Sequence, residues 1–291
     1  MSLLKYRIFV RVVETGSLTK AGESLNLTQS AISHAISGLE QDLGLTLLTR
    51  SRSGIKLTDN GERLLPYFRR IRQLDEKLHE EVASIKGLEV GTVRIGTFSS
   101  ASIHWLPQIL KEYHRQYPLI ETKLMDGNYQ EIEKWIAGGE VDVGFVNLPV
   151  QDGLDTLPLR RDRMLCILPS DHELREQSAI RMEQITELPF IMPVPGCDTD
   201  VRRIFEDQRL SPRIQYELED DHAIMSMVQN GLGISILPEM MLADSRYDLC
   251  VKPLEKEYYR TIGLAAVSFK NLSPAAKKLI DCMTERIGAE Q

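Results

Sequence analysis

The tightest constraint on this chain lies between Gly16 and Gly44, where two short apolar-periodic segments flank a tight turn. Ser17 stands at the N-cap of a segment carrying Leu18, Ala21 and Leu25. Asn26-Leu27 breaks that period, and Thr28 opens a second segment with Ile32, Ile36 and Leu39 on one face. A preceding segment places Leu4, Ile8 and Val12 on one face and stops at Gly16. The small pair Ala21-Gly22 lets two helices cross closely, so the arrangement predicts a helix-turn-helix. Its second helix then presents Gln29, Ser30, Ser33, His34 and Ser37 outward. These side chains are short enough to let a helix sink into a major groove and still bond base edges.

Two apolar pieces follow, Leu45–Leu48 and Ile55–Leu57, joined by Ser51-Arg52-Ser53-Gly54, which reads as a small hairpin or wing. The net charge of −7 speaks against a nucleic-acid partner until its distribution is counted. Residues 1–72 carry eleven Lys and Arg against six Asp and Glu, a surplus of five, leaving −12 on the rest of a chain that totals −7. A basic head on an acidic body is expected when only one end meets phosphate.

From Thr58 to about Lys86 the pattern is one long helix, with Leu64, Phe68, Ile71, Leu78, Val82 and Ile85 spaced as a coiled-coil seam and Asp75 in its polar slot. A lone helix would leave that stripe wet, so a partner helix, and hence a homodimer or tetramer, is expected. Packing against the chain's own body is the alternative. Beyond a linker at Gly87–Gly91, strand-like and helix-like segments alternate, which predicts an α/β fold with mainly parallel strands.

The run Ser17 to Glu40, then Gly44-Leu-Thr-Leu-Leu-Thr-Arg50 and Leu57-Thr-Asp-Asn-Gly-Glu62, closely resembles the DNA-binding segment of LysR-type transcriptional regulators. Gly139-Glu-Val-Asp-Val-Gly144 and Gly231-Leu-Gly-Ile-Ser-Ile-Leu-Pro238 look like that family's effector domain. The resemblance implies a winged helix-turn-helix over 1–58, a dimerising linker helix over 59–90, and a two-lobed effector domain like periplasmic binding proteins over 91–291. Lobe 1 would span about 91–161 and 268–291, and lobe 2 about 162–267. It also implies tetramers on two half-sites of promoter or operator DNA, with Arg50, Arg52 and Lys56 flanking the groove. Three positions depart from the pattern: Gly22 where a second Ala is usual, Leu48 where a Phe usually precedes the wing Arg, and His34 where Arg is frequent.

A two-lobed receptor holds its ligand between lobes, at strand C-termini and helix N-termini. Ser99, Ser100 and Ser102 lie at one such junction, Cys197 and Thr199 at another, and Asn128 and Asn147 complete the rim. Hydroxyls and backbone N–H groups there favour a small anionic effector such as a carboxylate. Cys197 has no resolving cysteine in its loop, so a lone thiol is the remaining redox reading.

No metal or other cofactor is expected: the six histidines show no ligand spacing and the four cysteines form no C-x-x-C pair. An enzyme, the main rival, lacks support, since Gly231-Leu-Gly233 precedes a strand and no G-x-S-x-G or phosphate loop occurs. The other rival is a solute receptor that binds no DNA, but the opening Met1-Ser-Leu-Leu-Lys-Tyr-Arg has no secretory apolar run. With no membrane span in sight, a cytoplasmic protein is expected.

Overall fold

A computed structural model describes residues 2–51, 54–243 and 245–288, without the side chains of Arg50 and Ser51. Three helices open the chain: α1 (Leu3–Thr15), α2 (Leu18–Leu25) and α3 (Gln29–Leu43). Each begins or ends where its caps dictate. The Ser17 and Thr28 side chains accept from the backbone N–H of Lys20 and Ala31, while Gly16, Asn26 and Gly44 close the three helices in the left-handed conformation. Gly22 lies under the turn, where a Cβ would meet the Leu27 carbonyl oxygen at 2.6 Å. Ile8, Phe9, Val12, Ala21, Ile32, Ile36 and Leu39 form the shared core.

The wing is β1 (Leu48–Ser51) paired antiparallel with β2 (Gly54–Leu57). Its first strand starts at Leu48 instead of Leu45. Leu47 is buried, and the Glu40 carboxylate accepts from both Leu47 and Leu48 N–H at 2.7 and 3.1 Å, tying the wing to α3.

Helix α4 (Asp59–Ile85) is capped by Thr58 and runs from the head to the body. Here the seam expected from the sequence needs correction. Phe68 is only 5% exposed, stacked on Tyr6 and edge-on to Phe9 within the head core, and Leu64 is half-buried against the same core. The exposed apolar stripe on α4 is instead Tyr67, Ile71, Leu74, Leu78, Val82 and Ile85. Leu74 thus occupies the stripe where Asp75 was expected to interrupt it.

The body begins with β3 (Gly91–Thr97), α5 (Ser99–His104), α6 (Leu106–Gln116), β4 (Ile120–Asp126), α7 (Tyr129–Gly138), β5 (Val143–Leu148) and β6 (Asp155–Pro169). It continues through α8 (Met182–Thr186), β7 (Pro189–Pro193), α9 (Thr199–Asp207), β8 (Arg213–Leu218), α10 (Asp221–Gln229) and β9 (Ser235–Pro238). Helix α11 (Glu239–Leu242), β10 (Leu249–Ala266) and α12 (Pro274–Gly288) complete it. A six-stranded sheet has the order β4-β3-β5-β10-β6-β9, with β7 and β8 paired beside it. Among the described strands β3–β4, β3–β5 and β7–β8 pair in parallel while β5–β10, β6–β10 and β6–β9 pair antiparallel, so the sheets are mixed, not mainly parallel.

The reason is the long antiparallel ladder of β6 and β10, two strands the sequence pattern hid. Both cross between lobes. The far half of β10, Thr261–Ala265, pairs with β5, and Ile262, Leu264, Ala265 and Ala266 sit in the first lobe's core with Ile95, Phe145 and Leu279. Met164 and Leu254 belong to the second lobe's core with Phe190, Ile204 and Ile236. Chain therefore re-enters lobe 1 near residue 260, within β10, and not at 268. No helix among the described residues is long and apolar enough to cross a membrane.

Candidate reading helix and interlobe cleft

On α3 the buried face of Ile32, Ile36 and Leu39 fixes the opposite edge outward. Gln29, Ser30, His34 and Ser37 are exposed and Ser33 is half-buried beside them. Ser30 Oγ lies 3.0 Å from Thr28 Oγ1, within the cap that starts the helix. Lys56 projects from the wing as an exposed cation. Arg52 lies outside the described residues, and of Arg50 only its backbone place in β1 is described. No group of three or more His, Cys, Asp and Glu among the described residues could hold a metal ion.

The second site is a cavity of about 350 Å³ between the lobes. Its floor is the point where β6 and β10 change lobes, and there Asp162 and Arg260 are direct cross-strand partners. Both are buried, at 4% and 2% exposure. Arg260 donates Nε to Asp162 Oδ2 at 2.8 Å, Nη1 to the Tyr129 hydroxyl at 2.8 Å and Nη2 to Ser100 Oγ at 2.9 Å. Its Nη2 also lies 2.6 Å from Asp162. Asp162 accepts in turn from Met240 N–H at 3.0 Å, so this pair ties α5 and α7 of the first lobe to α11, which follows the second lobe's β9 and sets Met240 into the first lobe's core. Although burial alone opposes its charge, the partners Tyr129 and Asp162 hold the Arg260 guanidinium above its ordinary range.

Donor accounting then defines what the floor offers. The oxygens of Tyr129 and Ser100 accept from Arg260, which leaves their own protons for a ligand acceptor. Burial pushes the Tyr129 phenol up to about 12, so it stays a donor. The rim is acidic, with Asp126, Glu131, Glu219 and Asp221 lining the cavity. Burial raises Asp221 above the usual carboxylate range against the lowering pull of Arg260. A second contact spans the lobes: Asn147 Nδ2 donates to Asp200 Oδ2 at 2.7 Å, and Asn147 Oδ1 is buried without a partner. Burial raises Asp200, opposed first by that hydrogen bond.

Of the sequence candidates, Ser99, Ser100, Asn128 and Cys197 line the cavity. Asn147 serves the interlobe contact, Ser102 bonds Thr97 and Asp126 just outside the lining, and Thr199 starts α9 exposed and outside the lining that its neighbours Asp200 and Val201 join. The Cys197 thiol is pushed up to about 11 by burial and then by the acidic neighbours Asp221 and Glu219, which disfavours a reactive thiolate. Sequence reasoning missed Arg260, Asp162 and Tyr129. The one available signal was a lone Arg inside Tyr258-Tyr-Arg-Thr-Ile262, an aromatic and β-branched run.

Comparison with known proteins supplies the frame. A family profile described as "Bacterial regulatory helix-turn-helix protein, lysR family" matches residues 3–62, and one described as "LysR substrate binding domain" matches residues 86–288. The chain is 34% identical over 293 residues to the HTH-type transcriptional regulator YvbU of Bacillus subtilis, covering 100% of both chains. A full-length OxyR variant from Pseudomonas aeruginosa shares the fold with a TM-score of 0.82 at 22% identity, over 99% of this chain and 94% of that one. The CcmR regulatory domain of Synechocystis, solved in complex with 2-PG, matches with a TM-score of 0.63 at 24% identity, over 67% of this chain and 97% of that domain.

Proposed function

The chain belongs to the LysR family of transcriptional regulators, and from that premise we propose how its own residues divide the work. It is a DNA-binding regulator with an effector-binding domain, not an enzyme. Gln29, Ser30, Ser33, His34 and Ser37 read base edges in the major groove, while Arg50, Arg52 and Lys56 hold the flanking phosphates. The observation that carries this is the division of α3: a polar edge faces outward because Ile32, Ile36 and Leu39 are fully committed to the core. Two copies pair through the α4 stripe of Ile71, Leu74, Leu78, Val82 and Ile85, which is otherwise wet. A regulator that meets chromosomal DNA works in the cytoplasm.

The effector sits in the interlobe cavity with an acceptor group, such as a carboxylate or phosphate, toward Ser100, Tyr129 and Arg260. That the similar CcmR regulatory domain was solved in complex with 2-PG, an anion, supports an anionic effector. The acidic rim of Glu219 and Asp221 suits a donor or cationic group at the effector's other end. Since Asp162–Arg260 and Asn147–Asp200 both span the lobes, a ligand that takes up the free donors changes the lobe angle, and the oligomer converts it into head spacing. Gel-shift with genomic fragments tests DNA binding. A thermal-shift screen of small carboxylates and phosphates, with footprints repeated in the presence of the hit, tests the sensing half. An effector that binds the cleft and leaves the footprint unchanged contradicts the coupling.

A further inference from the structure

A larger cavity, about 830 Å³, lies where the head, α4 and the first lobe meet, and it shares no lining residue with the interlobe cleft. Six cations line it: Arg7 and Arg11 from α1, Arg69 and Arg72 from α4, Arg94 from β3 and Lys123 from β4. Three acids share the lining, Glu14, Glu76 and Glu140, and two more stand beside it, Asp142 at 3.7 Å from Arg94 and Glu121 at 3.5 Å from Lys123. In a chain of net charge −7, a lining of six cations against three acids is out of proportion to the whole, and with Asp142 and Glu121 counted it still holds one positive charge more than negative.

The acids are already spent. Glu14 is shared between Arg72 at 2.5 Å and Arg11 at 3.3 Å, Glu140 takes Arg69 at 2.9 Å, and Glu76 takes both Nη atoms of Arg94 at 2.9 and 3.0 Å. Arg7 and Lys123 are exposed at the mouth of the cavity, and Lys123 lies 3.5 Å from Glu121. Arg69 and Arg72 are 7% and 8% exposed, yet Arg69 Nε and both Nε and Nη2 of Arg72 find no hydrogen-bond acceptor, Glu76 Oε1 standing off from Arg72 Nε at an ion-pair distance of 3.7 Å. Buried donors without acceptors are costly, and two adjacent guanidinium groups in that state point to an acceptor that comes from outside the chain. Burial, aided by the charge of Arg72, holds Arg69 below the ordinary guanidinium range despite Glu140 and Glu14.

We propose that this joint is a second ligand site, one that takes a free multivalent oxyanion of the phosphate type and thereby pins the DNA-binding head to the linker helix and first lobe. Three separate parts of the chain contribute cations, so a ligand there favours the arrangement in which all three are close. By linkage it opposes any state that swings the head away. The site thus gives the protein an input that does not pass through the interlobe cleft.

The test titrates full-length protein with inorganic phosphate and with pyrophosphate by calorimetry, against chloride at matched ionic strength. Saturable binding of one anion per protomer, tighter for pyrophosphate, is expected. The double variant Arg7→Ala/Lys123→Ala gives up no buried contact, so its melting temperature stays at the wild-type value. Its affinity falls by about tenfold, the scale of two exposed charge contacts. Ser100→Ala, which removes one of the cleft's free donors, leaves this titration unchanged. The proposal is overturned if neither anion binds saturably, if chloride has the same effect, if the double variant binds like wild type, or if Ser100→Ala abolishes binding.

Discussion

Replacing Arg260 by methionine probes the floor of the cleft and the joint between lobes at once. In the native protein the guanidinium, 2% exposed, satisfies Asp162, Tyr129 and Ser100 together and lies over the Phe98 ring at 5.6 Å. Methionine keeps most of the volume but leaves the 4%-exposed Asp162 carboxylate with a single donor, Met240 N–H. Removing one partner of a buried ion pair costs roughly 3–5 kcal/mol, because an uncompensated charge remains. For an effector domain of this size, about 2–4 °C of melting temperature is lost per kcal/mol, so the body should melt roughly 6–20 °C lower. Differential scanning calorimetry of the full chain reads this directly. The double variant Asp162→Val/Arg260→Met removes both charges and should regain most of the loss, since apolar replacement of a buried pair is often neutral. Both variants should lose the binding of whatever anion protects the wild-type cleft. An Arg260→Met protein that melts with wild type, or a double variant no better than the single, refutes the argument that this pair joins the lobes.

Gly61→Ala should destabilise the head by about 1–3 kcal/mol, because its Cβ would stand 2.2 Å from the Leu47 carbonyl oxygen and 2.9 Å from Leu57 Cδ2; urea unfolding measures it. Glu80, 6% exposed and accepting from Thr92 and Ala275 N–H, is raised above its ordinary 4.5 by burial. Its native state favours the protonated form, so its contribution is full below pH 4.5 and declines as pH rises through the raised value. Glu80→Gln should therefore match wild type in acid and melt higher near neutrality; an unchanged pH profile of melting temperature refutes this. Lys56→Ala should lower the salt slope of operator binding by about 0.9, one phosphate's share, without changing sequence preference.

Much of the head was legible because its signals are local. Caps at Ser17 and Thr28, the turn at Asn26 and the apolar face of α3 each act within four residues, and the structure places all of them as read. The α4 seam was half legible. Period marks which residues seek apolar cover but not whose, and Phe68 found it in Tyr6 and Phe9 of its own chain. The cleft floor was hidden for a different reason. Asp162 and Arg260 are 98 residues apart and meet across the β6–β10 ladder, while Arg260 and Ser100 are 160 apart and are brought together through the pairing of β10 with β5 and of β5 with β3. That ladder carries Arg160-Arg-Asp-Arg163 and Pro253 in its course, which breaks the alternation a strand normally shows. Without those two strands the antiparallel character of the sheet and the return into lobe 1 near residue 260 could not be read either.

The central claim is that the outer edge of α3 chooses the DNA sequence, and selection from a random duplex library measures that choice. Wild-type protein should enrich a two-fold symmetric motif. A Gln29→Ala/Ser33→Ala/Ser37→Ala variant should keep salt-sensitive binding to any duplex yet enrich no motif, since its core residues Ile32, Ile36 and Leu39 are untouched. Recovery of the same motif by the variant would contradict the account.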